Sequence, residues 1–81
     1  MRIYSTQRFL KSYRNASPYI QQAFKKQSMF LVGDIHHPSL HAKKYDESQN
    51  RWQARVTKNW RFYFRIEDDV YIMLDISKHP N

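Results

Sequence analysis

Hydrophobic and polar residues alternate through the second half of the chain. Trp52, Ala54 and Val56 alternate with Gln53, Arg55 and Thr57. Trp60, Phe62, Phe64 and Ile66 alternate with Arg61, Tyr63 and Arg65, and Val70, Ile72, Leu74 and Ile76 with Tyr71, Met73, Asp75 and Ser77. A period of two is that of a strand with one covered face, so three strands are expected, each with one wholly apolar side. Upstream the period changes to that of a helix. Ile20, Ala23, Phe24, Gln27 and Leu31 follow helical spacing, with Ser17 as a cap, Pro18 in the first helical position and Gly33 as a stop. An earlier helix, capped by Ser5 or Thr6 and reaching residue 15 or so, puts Phe9, Leu10 and Tyr13 on one face. Residues 1 to 4 read as a short strand, and residues 34 to 50, with their turn-forming side chains, as a long loop. The link between the helices is short enough to make them an antiparallel hairpin. That hairpin is the cover available for the apolar face. The expected fold is α+β, ordered β-α-α-β-β-β: an antiparallel sheet with a helical hairpin on one face, in one domain over residues 1–81.

The alternation also sets strand register, because paired residues must point the same way. Val56 and Trp60 then close the loop Thr57-Lys58-Asn59, and Ile66 and Val70 close Glu67-Asp68-Asp69. Counting back, Arg55 lies opposite Arg61 and Gln53 opposite Tyr63; on the other side Arg61 faces Asp75 and Arg65 faces Tyr71. The open face of the sheet is thus expected to carry Arg55, Arg61, Tyr63, Arg65 and Tyr71. His79, at the exit of the last strand, is expected at the Lys58 end of the sheet with Lys78. Residues 67 to 69 lie at the opposite end.

Charge sharpens this picture. The 81 residues hold 14 Lys+Arg against 7 Asp+Glu, a formal net charge of +7, which points to a polyanionic partner. Residues 1 to 33 contain Arg2, Arg8, Lys11, Arg14, Lys25 and Lys26 and no acid. Two arginines facing each other across strands repel. An anion between them would offset that, and the guanidinium fork suits phosphate. In the alternative, Asp75 neutralises Arg61 and Arg55 points into water. His79 is the one member of the group that exchanges protons near neutral pH, and Tyr63 and Tyr71 are the open-face aromatics on which bases could stack.

Composition excludes other classes. Cys is absent, so no disulfide and no thiolate zinc site is possible. No apolar run approaches the roughly 18 residues of a membrane span and no signal peptide opens the chain, so a cytoplasmic protein without a membrane partner is expected. His36, His37 and His41 share one segment with Asp34, but their spacing fits no standard metal pattern. Neither a metal nor a cofactor is expected.

The run Trp52-Gln53-Ala54-Arg55-Val56, then Asn59-Trp60-Arg61-Phe62-Tyr63-Phe64-Arg65-Ile66, then Val70-Tyr71-Ile72-Met73-Leu74-Asp75-Ile76 and Lys78-His79-Pro80 resembles the RelE/ParE superfamily of toxins from bacterial type II toxin–antitoxin systems, in particular RelE-, YoeB- and HigB-like members. The helical hairpin and the segment His37-Pro38-Ser39-Leu40-His41-Ala42-Lys43-Lys44 fit it too. The resemblance implies a toxin neutralised by a cognate antitoxin. Many such toxins cleave mRNA in the ribosomal A site, while others inhibit DNA gyrase and cleave nothing. In the cleaving branch Arg61 matches the arginine that holds the scissile phosphate, Arg55 matches a basic residue on the preceding strand, and His79 matches a terminal acid–base histidine. The implied reaction is metal-independent attack of the 2′-OH on the adjacent phosphorus. Lys43, Lys44, Lys58, Arg65, Tyr63, Tyr71 and Lys78 would hold the RNA. The general base stays open between His41, Glu47 and none. The alternatives are a gyrase inhibitor without nuclease activity and a non-catalytic RNA-binding module.

Overall fold

The computed structural model describes residues 1–80. Strand β1 spans Arg2–Ser5, helix α1 Gln7–Asn15 and helix α2 Pro18–Gly33. A short 3₁₀ turn, Pro38–Leu40, leads to strands β2 Lys43–Asp46, β3 Arg51–Thr57, β4 Trp60–Glu67 and β5 Val70–Lys78. The helix starts are those the caps dictate. Thr6 Oγ1 accepts from the Phe9 amide at 3.2 Å, and Ser17 Oγ accepts from the Ile20 amide at 3.3 Å with Pro18 following. Helix α2 does end at Gly33, but without a left-handed glycine. Its last turn closes instead through the Asp34 amide, which donates to the Phe30 carbonyl at 2.7 Å.

The helices cover one face of a five-stranded sheet ordered β1-β5-β4-β3-β2. Phe9, Ile20, Phe24 and Leu31 from the helices meet Ala54, Val56, Phe62, Phe64, Tyr71, Met73 and Ile76 from the strands. Phe24 stands edge-on to Phe62 with ring centroids 5.2 Å apart. The α+β class and the helical hairpin are those expected. Strand pairing differs in three respects, each with a local cause.

First, the sheet is mixed. β1 runs parallel to β5, with Arg2 opposite Val70 and Ser5 opposite Met73. It is clamped at both ends: the Arg2 amide donates to Asp69 O, and the Thr6 amide and hydroxyl both donate to Met73 O. A hydrophobic pattern carries no strand direction, and these long-range bonds supply it. Second, the segment expected to be a long loop contains β2, an edge strand antiparallel to β3, with Lys43 opposite Gln53 and Lys44 opposite Trp52. Edge strands carry polar residues on both faces, so β2 leaves no apolar alternation to detect.

Third, both hairpins close on two residues, not three. Thr57 pairs with Trp60 and Glu67 with Val70, and two-residue connections are the commonest hairpin form. Such a turn reverses the parity on one strand, and a bulge restores it. In β3 the extra residue is Val56, between Arg55 and Thr57. In β5 it is Leu74, because Phe64 pairs with Met73 and Tyr63 with Asp75. Asp68 adopts φ 53 in the second turn, a conformation Asp tolerates better than most residues. Hence Arg61 faces Ser77, not Asp75, and Arg65 faces Ile72, not Tyr71. Tyr71 is 5% exposed and packs edge-on against Phe64 beneath the helices. Burial, and then the charge of Asp34, hold its phenol above the usual value.

Candidate nucleic-acid interface

The bulge in β3 leaves the central register intact: Arg55 is directly opposite Arg61, and Gln53 is opposite Tyr63. Arg55, Arg61 and Tyr63 lie on the face away from the helices, since their neighbours Ala54, Phe62 and Phe64 are all buried. Gln27 of α2 anchors this stretch of β3. It is buried, donates through Nε2 to the carbonyls of Arg55 (2.9 Å) and Ser39 (3.1 Å), and accepts from Ser39 Oγ at 3.3 Å. One side chain thus ties the strand beside its bulge to a helix and to the 3₁₀ turn. The sequence pattern places Gln27 on the inner face but gives no hint of this role.

Arg61 is held by the turn it follows. Its Nη1 donates to the carbonyls of Thr57 (2.9 Å), Lys58 (3.0 Å) and Trp60 (3.0 Å). Desolvation, and then the charge of Arg55, push its pKa below the usual arginine value, though a guanidinium remains charged at any working pH. Arg55 Nε is buried with no hydrogen-bond partner among the described residues. Neither arginine has a carboxylate partner there. The neutralisation of Arg61 by Asp75 does not occur. Asp75 accepts from Ser12 Oγ at 2.7 Å and pairs with Arg8 at 3.3 Å.

His79 lies at the same end of the sheet, as the sequence implies. Its amide donates to Asn59 O at 2.6 Å, and Lys78 stands opposite Trp60. The imidazole Nδ1 is buried and without a hydrogen-bond partner among the described residues. Lys58, in the turn, and Lys78 are exposed. Arg55, Arg61, Lys58 and His79 therefore lie at one end of the sheet, and Lys78, opposite Trp60, lies at that end with the parity of the covered face.

The other expected residues divide. Lys43 is exposed on the open face beside Gln53. Lys44 points the other way, beside Trp52, and pairs with Glu47 at 3.2 Å. Arg65 is on the open face but at the far end, 3.3 Å from Glu67. Tyr71 is in the core and leaves the site altogether. Three residues not expected there join the open face. Tyr45 of β2 stands edge-on to Tyr63, with centroids 6.0 Å apart. Arg51 and Leu74 line a hollow with Tyr63 and Asp75. Arg51 has the same parity as Gln53 and Arg55 and was within reach of sequence reasoning. Tyr45 was hidden by the polar run around it, and Leu74 by the bulge.

Among the described residues no three His, Asp or Glu side chains converge as a metal site would require. His37 has a different task. Its ring stacks on Phe30 at 3.9 Å, and its Nδ1 accepts from the Ser39 amide at 3.2 Å. His41 follows the 3₁₀ turn in the left-handed conformation, φ 46. No helix among the described residues is long and apolar enough to cross a membrane.

No protein-family model and no curated protein matches the chain. Solved structures do. A YoeB/ParE toxin from Agrobacterium tumefaciens superposes with a TM-score of 0.81 at 12% identity, over 99% of this chain and 100% of that one. The YoeB dimer from Staphylococcus aureus gives 0.80 at 8% identity, over 99% and 98%. RelE of the archaeal RelE–RelB complex from Pyrococcus horikoshii gives 0.78 at 13%, over 95% and 92%. The chain has the fold of the RelE, YoeB and ParE toxins.

Proposed function

We propose that a chain with this fold and this basic end of the sheet is the toxin of a toxin–antitoxin pair, and that it cuts mRNA bound to the ribosome. The observation that carries the reading is the Arg55–Arg61 pair. Two arginines stand opposite each other on adjacent strands, on the uncovered side of the sheet, without a carboxylate partner among the described residues. Like charges in that arrangement are unfavourable until an anion lies between them, and the planar fork is suited to a phosphate diester.

The chemistry follows from that placement. The 2′-oxygen of the ribose forms a bond to the adjacent phosphorus, and the bond from phosphorus to the 5′-oxygen breaks. The products are a 2′,3′-cyclic phosphate and a free 5′-hydroxyl. Arg55 and Arg61 hold the non-bridging oxygens and stabilise the charge that builds on them, and the anchorage of Arg61 to three turn carbonyls pre-orients it. His79 gives a proton to the leaving 5′-oxygen. Glu47 is engaged by Lys44, so the 2′ proton passes to water. Lys43, Lys58 and Lys78 bind flanking phosphates. An antitoxin that silences this surface would be acidic where it meets the arginines. Several proteins of the same fold, including RelE with RelB and YoeB with YefM, have been solved as toxin–antitoxin complexes.

The test is to incubate the chain with programmed ribosomes and map RNA 5′ ends, with a gyrase supercoiling assay alongside. New 5′-hydroxyl ends in the wild-type sample, lost in Arg55→Ala, are the expected result. Intact message together with arrested supercoiling would replace the nuclease reading by a gyrase inhibitor.

A further inference from the structure

The two arginines are held in different ways. Arg61 is fixed through its own guanidinium, by three turn carbonyls. Arg55 is half-buried and its Nε has no hydrogen-bond partner among the described residues, so the direction of its side chain depends on its backbone. The sheet supports that backbone weakly. β2 pairs with β3 no farther than Gln53, and the residue after Arg55 is the bulged Val56, where the ladder to β4 is interrupted. A slip of one residue there would turn Arg55 under the helices. A side chain meets the Arg55 carbonyl instead of a strand: Gln27 Nε2 donates to it at 2.9 Å, and to the Ser39 carbonyl at 3.1 Å.

Gln27 is the one buried polar residue among the described residues, with Phe24 and Leu31 as its buried neighbours along α2. Two carbonyls at one end of a carboxamide can be satisfied only by its nitrogen. The oxygen at the other end accepts from Ser39 Oγ at 3.3 Å, which fixes the orientation of the amide. Ser39 is fixed in turn by His37, whose Nδ1 accepts from the Ser39 amide at 3.2 Å while its ring stacks on Phe30 of α2. Packing alone does not ask for this network. A leucine or methionine would fill the same core position without the desolvation of an amide. We propose that Gln27 is a positioning residue for Arg55: it stands in for the missing strand beside the bulge, pins the register there, and keeps the Arg55 guanidinium on the open face next to Arg61. The assignment rests on the ribonuclease reading for its effect on cleavage. Its effect on Arg55 itself is separable.

The experiment compares the full chain with Gln27→Met, which keeps the length of the side chain and loses its hydrogen bonds, with Arg55→Ala, and with the double variant. Cleavage of message on programmed ribosomes is read well below the denaturation midpoint of each. Gln27→Met should lower kcat on the order of 10- to 100-fold, the scale on which a misplaced group acts, with KM nearly unchanged because Lys43 and Lys58 still hold the message. The double variant should be no slower than Arg55→Ala alone, as follows when one residue acts only through the other. NMR reads the same variants without RNA. The Arg55 Nε–H signal should shift and exchange faster in Gln27→Met, while that of Arg65, at the far end of the open face, stays in place. Ser39→Ala, which removes the hydroxyl that orients the amide, serves the same purpose if Gln27→Met fails to fold. Losses that multiply in the double variant, or an Arg55 signal that Gln27→Met leaves unmoved, would overturn the assignment. Uncut message in the wild type with a moved Arg55 signal removes the nuclease reading and keeps the positioning role. Cut message with an unmoved signal removes the positioning role alone.

Discussion

The two ends of the sheet treat charge in opposite ways. At the β4–β5 turn, the acids have cations at hand: Asp69 lies 3.9 Å from Arg2 and Glu67 lies 3.3 Å from Arg65. The Arg2–Asp69 pair is largely exposed and the Arg65–Glu67 pair about half exposed, so each contributes little to stability, but the end as a whole is close to neutral. At the β3–β4 turn, Arg55 and Arg61 oppose each other with Lys58 and Lys78 nearby, and no carboxylate among the described residues answers them. The one acid on a neighbouring strand that might have done so, Asp75, is committed to Arg8 and Ser12. Folding alone would favour neutralising both ends. An end left positive, with Arg61 anchored and Arg55 Nε unpartnered, is arranged for an anion that arrives from outside.

That contrast can be attacked at either end. The largest expected effect is at His79. His79→Ala should slow cleavage on the order of 10²- to 10⁴-fold, the usual contribution of a placed proton donor, while thermal unfolding stays nearly unchanged because the fold uses only its backbone amide. Single-turnover rates on programmed ribosomes measure the first, and calorimetry the second. Arg61→Ala should reduce cleavage on the order of 10²- to 10³-fold. It should also cost roughly 1–2 kcal/mol of stability, since three turn carbonyls lose a charged donor. Urea unfolding would separate the two losses. Gln27→Leu strands the buried-side carbonyls of Arg55 and Ser39 and should cost about 1–3 kcal/mol, seen as a lower denaturation midpoint. The smallest effect belongs to the neutral end. Glu67→Gln should change stability by no more than about 0.5 kcal/mol and leave the cleavage rate as it was. A large loss of cleavage there would mean that the two ends do not differ in function.

Much of the site was legible because it depends on a period of two. Parity alone places Arg55 opposite Arg61 on the uncovered face, and the structure agrees. Caps are equally local: Thr6 and Ser17 begin their helices as their side chains require. The register errors share one origin. Parity was carried straight through the β-hairpins, whereas two-residue turns and single-residue bulges at Val56 and Leu74 shift and restore it. The two-residue β4–β5 turn moves Tyr71 into the core, and the bulge that follows turns Leu74 out of it and leaves Asp75 opposite Tyr63, away from Arg61. β2 was missed because the residues Lys43, Lys44, Tyr45 and Asp46 offer no apolar alternation; their strand pairing comes from β3. The direction of β1 and the bridging role of Gln27 are long-range properties, set by partners 12 to 67 positions away along the chain. No local pattern encodes them.

The most direct trial is to give the positive end the carboxylate it lacks. Ser77 stands opposite Arg61, so Ser77→Asp offers that arginine an internal partner and should add up to about 1 kcal/mol of stability. The quantity to measure is the cleavage rate of ribosome-bound message by this variant relative to the wild type. A folded protein slowed roughly tenfold or more, as expected when an internal anion competes with phosphate for the guanidinium, would bear out the phosphate site. Cleavage at the wild-type rate with Arg61 so neutralised would mean that the arginine pair does not hold the phosphate.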